Sequence, residues 1–209
     1  MRLKHVKNAK ERVEMSKYLI LEPSKFKGRY KELFKNNNPI YIEIGMGKGN
    51  FIINNAIKYP NINFIGIEKY DSVIVRAIEK LDNLELPNLK LIRLDANNIL
   101  DIFFKEIDLI YLNFSDPWPK ARHEKRRLSS SNFLKKYDLI FKDKNKIIMK
   151  TDNRKLFEYS VISYTDYGYK IKSISLDLEK DENIDNIETE YETKFKNMGF
   201  PIYKIEIEK

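Results

Sequence analysis

Five short apolar runs punctuate the first 150 residues: Ile40–Ile44, Asn63–Ile67, Leu89–Leu94, Leu109–Phe114 and Lys146–Met149. They are rich in Ile, Leu, Tyr and Phe and do not alternate with polar positions, the pattern of strands buried on both faces of a parallel sheet. Between them the period lengthens to that of a helix. Asn50–Lys58 is one such stretch, closed by Pro60, and Asp71–Leu81 is another, with Val73, Ile74, Ala77, Ile78 and Leu81 on one face and Asp71 or Ser72 expected as its cap. Ile99–Phe104, Ser129–Phe141 and Arg154–Tyr164 complete the alternation. Strand following helix in this way predicts an α/β fold with right-handed crossovers. The tail reads differently: Tyr169–Leu178 and the alternating Tyr203–Ile207 suggest a terminal hairpin beside the parallel strands. Residues 1–38 are expected to form a basic N-terminal helix or arm, residues 39–209 one domain, and the tract 177–192 a loop.

Composition narrows the chemistry. The 209 residues contain no cysteine, which excludes disulfides, thiolate metal sites and a cysteine nucleophile. Two histidines, His5 and His123, are too few for a multi-histidine zinc site and make a Ser-His-Asp triad improbable, so no metal is expected. No apolar run approaches the length of a membrane span, and the basic start, interrupted by Glu11 and Glu14, is not expected to act as a signal peptide. The expectation is a soluble cytoplasmic protein, monomeric or homodimeric, away from membranes.

The net charge of +8 is unevenly spread. Residues 177–192 hold eight acids against one lysine, residues 1–31 ten basic residues against three acids, and residues 120–127 five basic residues against one acid. Lysine outnumbers arginine 30 to 9, as base composition alone can produce, yet three of the nine arginines lie within 122–127. That cluster reads as a surface for a polyanion.

Three of the seven glycines fall in Glu43-Ile44-Gly45-Met46-Gly47-Lys48-Gly49-Asn50, after a strand and before a helix. The spacing is neither the dinucleotide fingerprint nor a phosphate loop. Glu43 just ahead of the glycines would repel a pyrophosphate and welcome an ammonium or sulfonium. Glu43 is also the first of five acids at five strand ends, followed by Glu68, Asp95, Asp116 and Asp152. The first three are 25 and 27 residues apart, one strand–helix unit each, so all five are expected in one crevice at the carboxyl ends of the strands. Glu68, 19 residues past Gly49, suits ribose hydroxyls, Asp95 an adenine amino group, and Glu43 an amino-acid moiety. Together they fit S-adenosylmethionine better than NAD. In Asp116-Pro117-Trp118-Pro119-Lys120 two prolines stiffen the backbone around the only tryptophan, which suggests a platform for a base, with the basic cluster following directly. A methyltransferase acting on another base or atom, an NAD-dependent oxidoreductase and a non-catalytic RNA-binding module are the alternatives these residues leave open.

Glu-Ile-Gly-x-Gly-Lys-Gly-x-Phe (43–51), Gly-Ile-Glu (66–68), Asp-Ala (95–96), Asn-Phe-Ser-Asp-Pro-Trp-Pro-Lys-x-Arg-His-x-Lys-Arg-Arg-Leu (113–128), Thr-Asp-Asn (151–153) and Thr-x-Tyr-Glu (189–192) resemble the bacterial tRNA (guanine-N7)-methyltransferases from about residue 40 to the C-terminus. The resemblance implies a Rossmann-like class I methyltransferase: a mostly parallel seven-stranded sheet, a C-terminal antiparallel hairpin and helices on both faces. It further implies transfer from S-adenosylmethionine to guanine N7 in the variable loop of tRNA, a reaction that needs no histidine base because N7 carries a free lone pair. By carry-over, Asp116 would be the catalytic residue. Glu43, Gly45, Gly47, Gly49, Glu68, Asp95, Ala96 and Asp116 would contact the cofactor. Lys120, Asp152, Thr189, Glu190, Tyr191 and Glu192 would contact the substrate, and Arg122, His123, Lys125, Arg126 and Arg127 the RNA. Ala121 stands where the family often has a second lysine.

Overall fold

A computed structural model describes residues 6–181 and 186–209. The first five residues, with His5, and residues 182–185 of the acidic tract lie outside the described residues. Seven strands make one sheet: β1 (Ile40–Ile44), β2 (Asn63–Glu68), β3 (Leu89–Arg93), β4 (Leu109–Asn113), β5 (Lys146–Thr151), β6 (Lys170–Ser175) and β7 (Tyr203–Glu208). Their order is β3-β2-β1-β4-β5-β7-β6. The first five are parallel, and β7 runs antiparallel to both β5 and β6. The chain winds outward from β1 to β3, then resumes at β4 on the other side of β1. This reversal opens a crevice beyond the carboxyl ends of β1 and β4, where an open α/β sheet takes its ligand.

The apolar runs form the strands as expected because alternate residues feed two separate cores. On one face Ile40, Ile42 and Ile65 meet α2 (Tyr30–Phe34), α5 (Ser131–Ile140) and α6 (Arg154–Asp166). On the other, Phe64, Leu89 and Leu91 meet α1 (Ala9–Glu14), α3 (Asn50–Lys58) and α4 (Asp71–Leu81). Helix α4 has the bounds its periodicity predicts, but neither proposed cap residue caps it. Tyr70 precedes the first turn without a side-chain cap, and Asp71 is drawn instead to Arg93 on β3 at 2.9 Å. Ile99–Phe104, expected as a short helix, lies across a 3₁₀ turn (Ala96–Asp101) capped by Asp95.

The N-terminal segment packs closely on this frame. Val13, Tyr18, Leu19 and Tyr30 are buried. Leu19 bridges Leu91 in parallel, with the Leu91 N–H donating to Tyr18 (2.8 Å) and the Ile20 N–H to Leu91 (2.9 Å). The free edge of β3 is thereby covered. Glu106 accepts from the backbone N–H of Gly28, Tyr30 and Phe104, pinning the same segment.

The acidic tract is a second difference. Its end is the first turn of a seventh helix, α7 (Glu190–Asn197). Thr189 accepts from the Glu192 N–H while Glu192 accepts from the Thr189 N–H, a reciprocal cap.

A cofactor-sized crevice and its rim

The glycine turn leads from β1 into α3. Gly49 has φ of +80°, and a Cβ there would come within 2.7 Å of the Ala77 Cβ on α4, so only glycine lets the two helices meet. Gly45 and Gly47 face open space, with nothing within 4 Å of a Cβ at either. That space is a cavity of about 540 Å³, a volume typical of small-molecule sites. The turn forms one wall, and Asn113, Phe114 and Asp116 at the end of β4 form another. Thr189, Glu190, Tyr191 and Lys194, around the start of α7, close the third.

Glu43 is the innermost acid and is buried. Asn113 Nδ2 donates to its Oε1 at 2.9 Å. Burial pushes the Glu43 carboxyl up to about 7, against the opposing pull of Asn113 and the Lys150 ammonium. Its other oxygen, Oε2, and the Asn113 Oδ1 have no hydrogen-bond partner among the described residues. Two buried acceptors side by side on a cavity wall are costly unless a ligand supplies donors. A cationic amine does so, and S-adenosylmethionine carries one.

Glu68 is held by three backbone donors: Gly47 at 3.2 Å, Lys69 at 2.7 Å and Tyr70 at 3.2 Å. Its pKa is nevertheless raised, chiefly by burial. Asp95 accepts from the N–H and side chain of Asn97 and from Lys69 Nζ at 2.7 Å. The Lys69 ammonium holds its carboxyl below the usual range. Of the eight expected cofactor contacts, Glu43, Gly45, Gly47, Gly49 and Asp116 line the cavity. Glu68 grips the turn from behind, while Asp95 and Ala96 sit outside the lining on the same edge of the sheet. Asp116 is exposed at the mouth.

The loop after β4 is strained. Phe114 and Trp118 have φ of +51° and +41°, rare for non-glycine residues. Arg127 holds this shape, its Nε donating to the Pro117 carbonyl and its Nη2 to that of Trp118, each at 3.1 Å. Its guanidinium lies 4.2 Å from the Tyr159 ring centroid. Arg126 covers the Trp118 ring at 4.9 Å, and His123 packs against the same ring at 5.7 Å. The tryptophan expected as a base platform is thus already packed on by its own loop. Lys120, Arg122, Lys125 and Arg126 are exposed around a 3₁₀ turn (Ala121–Arg126). Asp152, half-buried after β5, is not part of the cavity wall.

The four residues at the start of α7 separate into two roles. Glu190 reaches over the glycine turn to Lys48 (3.1 Å) and Lys80 (2.5 Å). Tyr191 lines the cavity and stays 46% exposed. Glu192 is buried, with Asn186 on one oxygen and Lys150 Nζ (2.9 Å) and the Thr189 N–H on the other. Lys150, itself buried, also donates to the Ile187 carbonyl at 2.9 Å. This ion pair ties α7 to β5. Residue patterning missed Asn113, Lys48, Lys80, Phe114, Lys150 and Lys194. Only Asn113 had a legible signal, as a polar residue closing an apolar strand in line with the acids.

The chain matches, over residues 37–205, the family described as "Putative methyltransferase". It is 49% identical to the tRNA (guanine-N(7)-)-methyltransferase of Bacillus licheniformis, over 100% of this chain and 99% of that one. It is 50% identical to that of Bacillus cytotoxicus (99% and 96%) and 48% to that of Streptococcus mutans (99% and 99%). Among solved structures, an antibiotic-related methyltransferase superposes with a TM-score of 0.68 at 16% identity, covering 87% of this chain and 93% of that one. Sp1610 of Streptococcus pneumoniae, in complex with S-adenosyl-L-methionine, superposes at 0.53 and 15% identity, covering 88% and 72%. At these identities the structural likeness speaks for the fold. Among the described residues no helix is long and apolar enough to cross a membrane, and no cluster of three or more ligating side chains could hold a metal ion.

Proposed function

The chain belongs to the tRNA (guanine-N(7)-)-methyltransferase family, and we propose that its crevice transfers the methyl group with Glu43 at the amino-acid end of S-adenosylmethionine and Asp116 beside the target guanine. The observation that carries this assignment is the pair of buried, unsatisfied acceptors on Glu43 and Asn113, two residues that line the same cavity as Asp116. When bound, S-adenosylmethionine supplies an electrophilic methyl on a sulfonium and leaves as the neutral thioether.

The chain's own work is binding, orientation and electrostatics. Glu43 and Asn113 together accept from an ammonium. Glu68 keeps the glycine turn in place through the Gly47 N–H and, with Asp95 and Ala96, faces the nucleoside end. Guanine N7 attacks with its in-plane lone pair, so no side chain removes a proton from it. The base becomes a cation, and the carboxylate of Asp116 stabilises that charge or grips the guanine N–H edge. Arg127 fixes the backbone on which Asp116 rides. Lys120, Arg122, Lys125 and Arg126 take phosphates, with His123 packed among them, and Asp152 orients the substrate. Glu190 and Tyr191 face the substrate side, and Glu192 holds them there through Lys150. The exposed Lys7 and Lys10 on the N-terminal segment offer further cations to the RNA.

The test is to incubate the protein with labelled S-adenosylmethionine and unmodified tRNA and identify the product by mass spectrometry of nucleosides. We expect 7-methylguanosine, lost in Asp116→Ala. Label in any other nucleoside would overturn the assignment of the Asp-Pro-Trp-Pro loop.

A further inference from the structure

The rim of the cavity carries a group of aromatic rings, of which the reaction above uses only Tyr191. Phe114, Tyr191 and Phe195 lie at mutual centroid distances of 6.0, 6.5 and 6.4 Å, with interplanar angles of 20°, 5° and 17°. A face-to-face column of three rings would place its outer members at about twice the neighbour spacing. Three near-parallel rings at near-equal distances are instead offset-stacked on one another, as a stepped terrace. Phe114 and Tyr191 line the cavity, two and 75 residues in sequence from Asp116, whereas Phe195 does not. Phe200 stands across Phe195 at 6.1 Å and 78°, forming a corner at the outer end, and is 51% exposed.

Local backbone chemistry fixes that corner. Helix α7 ends with Gly199 at φ of +72°; the Gly199 N–H donates to Lys196 (2.9 Å) and the Phe200 N–H to Phe195 (3.1 Å). This is a Schellman termination, and contact between the residues corresponding to Phe200 and Phe195 commonly accompanies it. The motif accounts for the contact. It does not account for an aromatic at a position where any apolar side chain would serve, left half exposed beside a catalytic cavity. Lys194, on the cavity wall next to the terrace, has its Nζ 5.8 Å from the Phe195 ring centroid and no acidic partner among the described residues.

We propose that the outer corner, Phe195 and Phe200, stacks a base that flanks the target guanine in tRNA, with Lys194 on its phosphate. The exposed π-face of Phe200, beside a cation that no carboxylate among the described residues neutralises, is the pairing that binds an unstacked nucleotide without reading its identity. The corner thus takes over the platform role for which the sequence offered Trp118. The inference rests on the assignment of tRNA as substrate and adds a subsite to it.

Phe200→Leu keeps the apolar contact of the helix termination and removes the π-face; Phe200→Ala removes both. Each is compared with the unaltered protein in melting temperature, sedimentation and steady-state kinetics. A synthetic tRNA with 2-aminopurine next to the target guanine reports stacking by fluorescence quenching. We expect Phe200→Leu to melt near the parent, to retain kcat and the KM for S-adenosylmethionine, and to raise the KM for tRNA roughly tenfold, the scale of one lost stack. Quenching should be lost in parallel. An unchanged tRNA KM with unchanged quenching in Phe200→Leu would overturn the subsite while 7-methylguanosine formation by the parent kept the substrate assignment intact. A change in sedimentation alone would reassign the corner to contact between copies of this chain and equally overturn it. Failure of the parent to methylate tRNA would be a failure of the substrate assignment, separable from both.

Discussion

The two halves of the crevice are built on opposite terms. On the side proposed for the cofactor, Glu68 and Asp95 have their oxygens engaged by backbone N–H groups and Lys69, and Glu43 is braced by Asn113. On the side proposed for the substrate, Asp116, Lys120, Lys125 and Asp152 make no side-chain hydrogen bond or ion pair among the described residues. A small ligand is bound best by acceptors already held in place, because little ordering remains to oppose binding. A polyanion is bound best by cations still free, because an internal partner would have to be displaced first. Helix α7 joins the two: it reaches the glycine turn through Glu190 and is anchored by the buried Lys150–Glu192 pair.

That anchor should give the largest effect. Removing one member of a buried pair leaves the other charge stranded, at about 3–5 kcal/mol. Glu192→Ala, which also deletes the reciprocal cap, should lower stability by that amount in urea denaturation, and Lys150→Met combined with Glu192→Leu should recover much of it. A loss below ~1 kcal/mol would mean that α7 is not held in this way. Next comes Asp116→Ala, expected to reduce kcat at least ~10²-fold while S-adenosylmethionine binding stays measurable by calorimetry. Unchanged turnover would remove Asp116 from the chemistry and blur the division between the halves.

Arg127 belongs to the basic cluster by sequence and to the scaffold by structure. Arg127→Lys retains the charge but not the fork that spans two carbonyls. It should lower kcat on the order of tenfold without altering the salt dependence of tRNA binding. A changed salt slope at unchanged kcat would return it to the RNA surface.

The cofactor half can be sharpened by pH. The folded pKa of Glu43 lies above the ordinary carboxylate value, near 7. The free protein therefore holds an extra proton between about 4.5 and 7, and its stability falls as pH rises through that window. An ammonium prefers the ionised carboxylate, so binding releases the proton. Affinity for S-adenosylmethionine should weaken by up to ~10-fold per unit as pH drops below about 7, and Glu43→Gln should flatten the profile. A slope that survives in the variant would locate the titrating group elsewhere. The smallest effect is on the substrate half: Arg122→Gln or Lys125→Gln should each reduce the salt slope of tRNA binding by roughly 0.7–0.9, read from affinity at several salt concentrations. No change would make these residues ordinary solvated charges.

Much of this was readable in advance where the controlling interactions are local. Helices α3 and α4 and strand β1 have the limits that Pro60, Gly49 and the apolar period predict. Uniform strand–helix units brought Glu43, Glu68 and Asp95 to one side of the sheet. Only the first turn of α7, Glu190 to Glu192, falls in the tract 177–192 expected as a loop, because its run of acids shows no apolar period. Its capping signal, Thr189-x-x-Glu192, was nonetheless in the chain.

Side-chain period and turn chemistry act over a few residues, so the order of residues was enough to specify most of the elements and to set Glu43, Glu68 and Asp95 at the ends of successive strands. Partner choice among charges and rings depends on distances that exist only once the sheet has closed. Lys150 meets Glu192 across 42 residues of chain, Asn113 meets Glu43 across 70, and Lys80 meets Glu190 across 110. Which arginine binds backbone and which faces solvent, and which aromatic is packed and which is free to stack, were settled by that closure, because burial and adjacency belong to the folded chain rather than to any stretch of it.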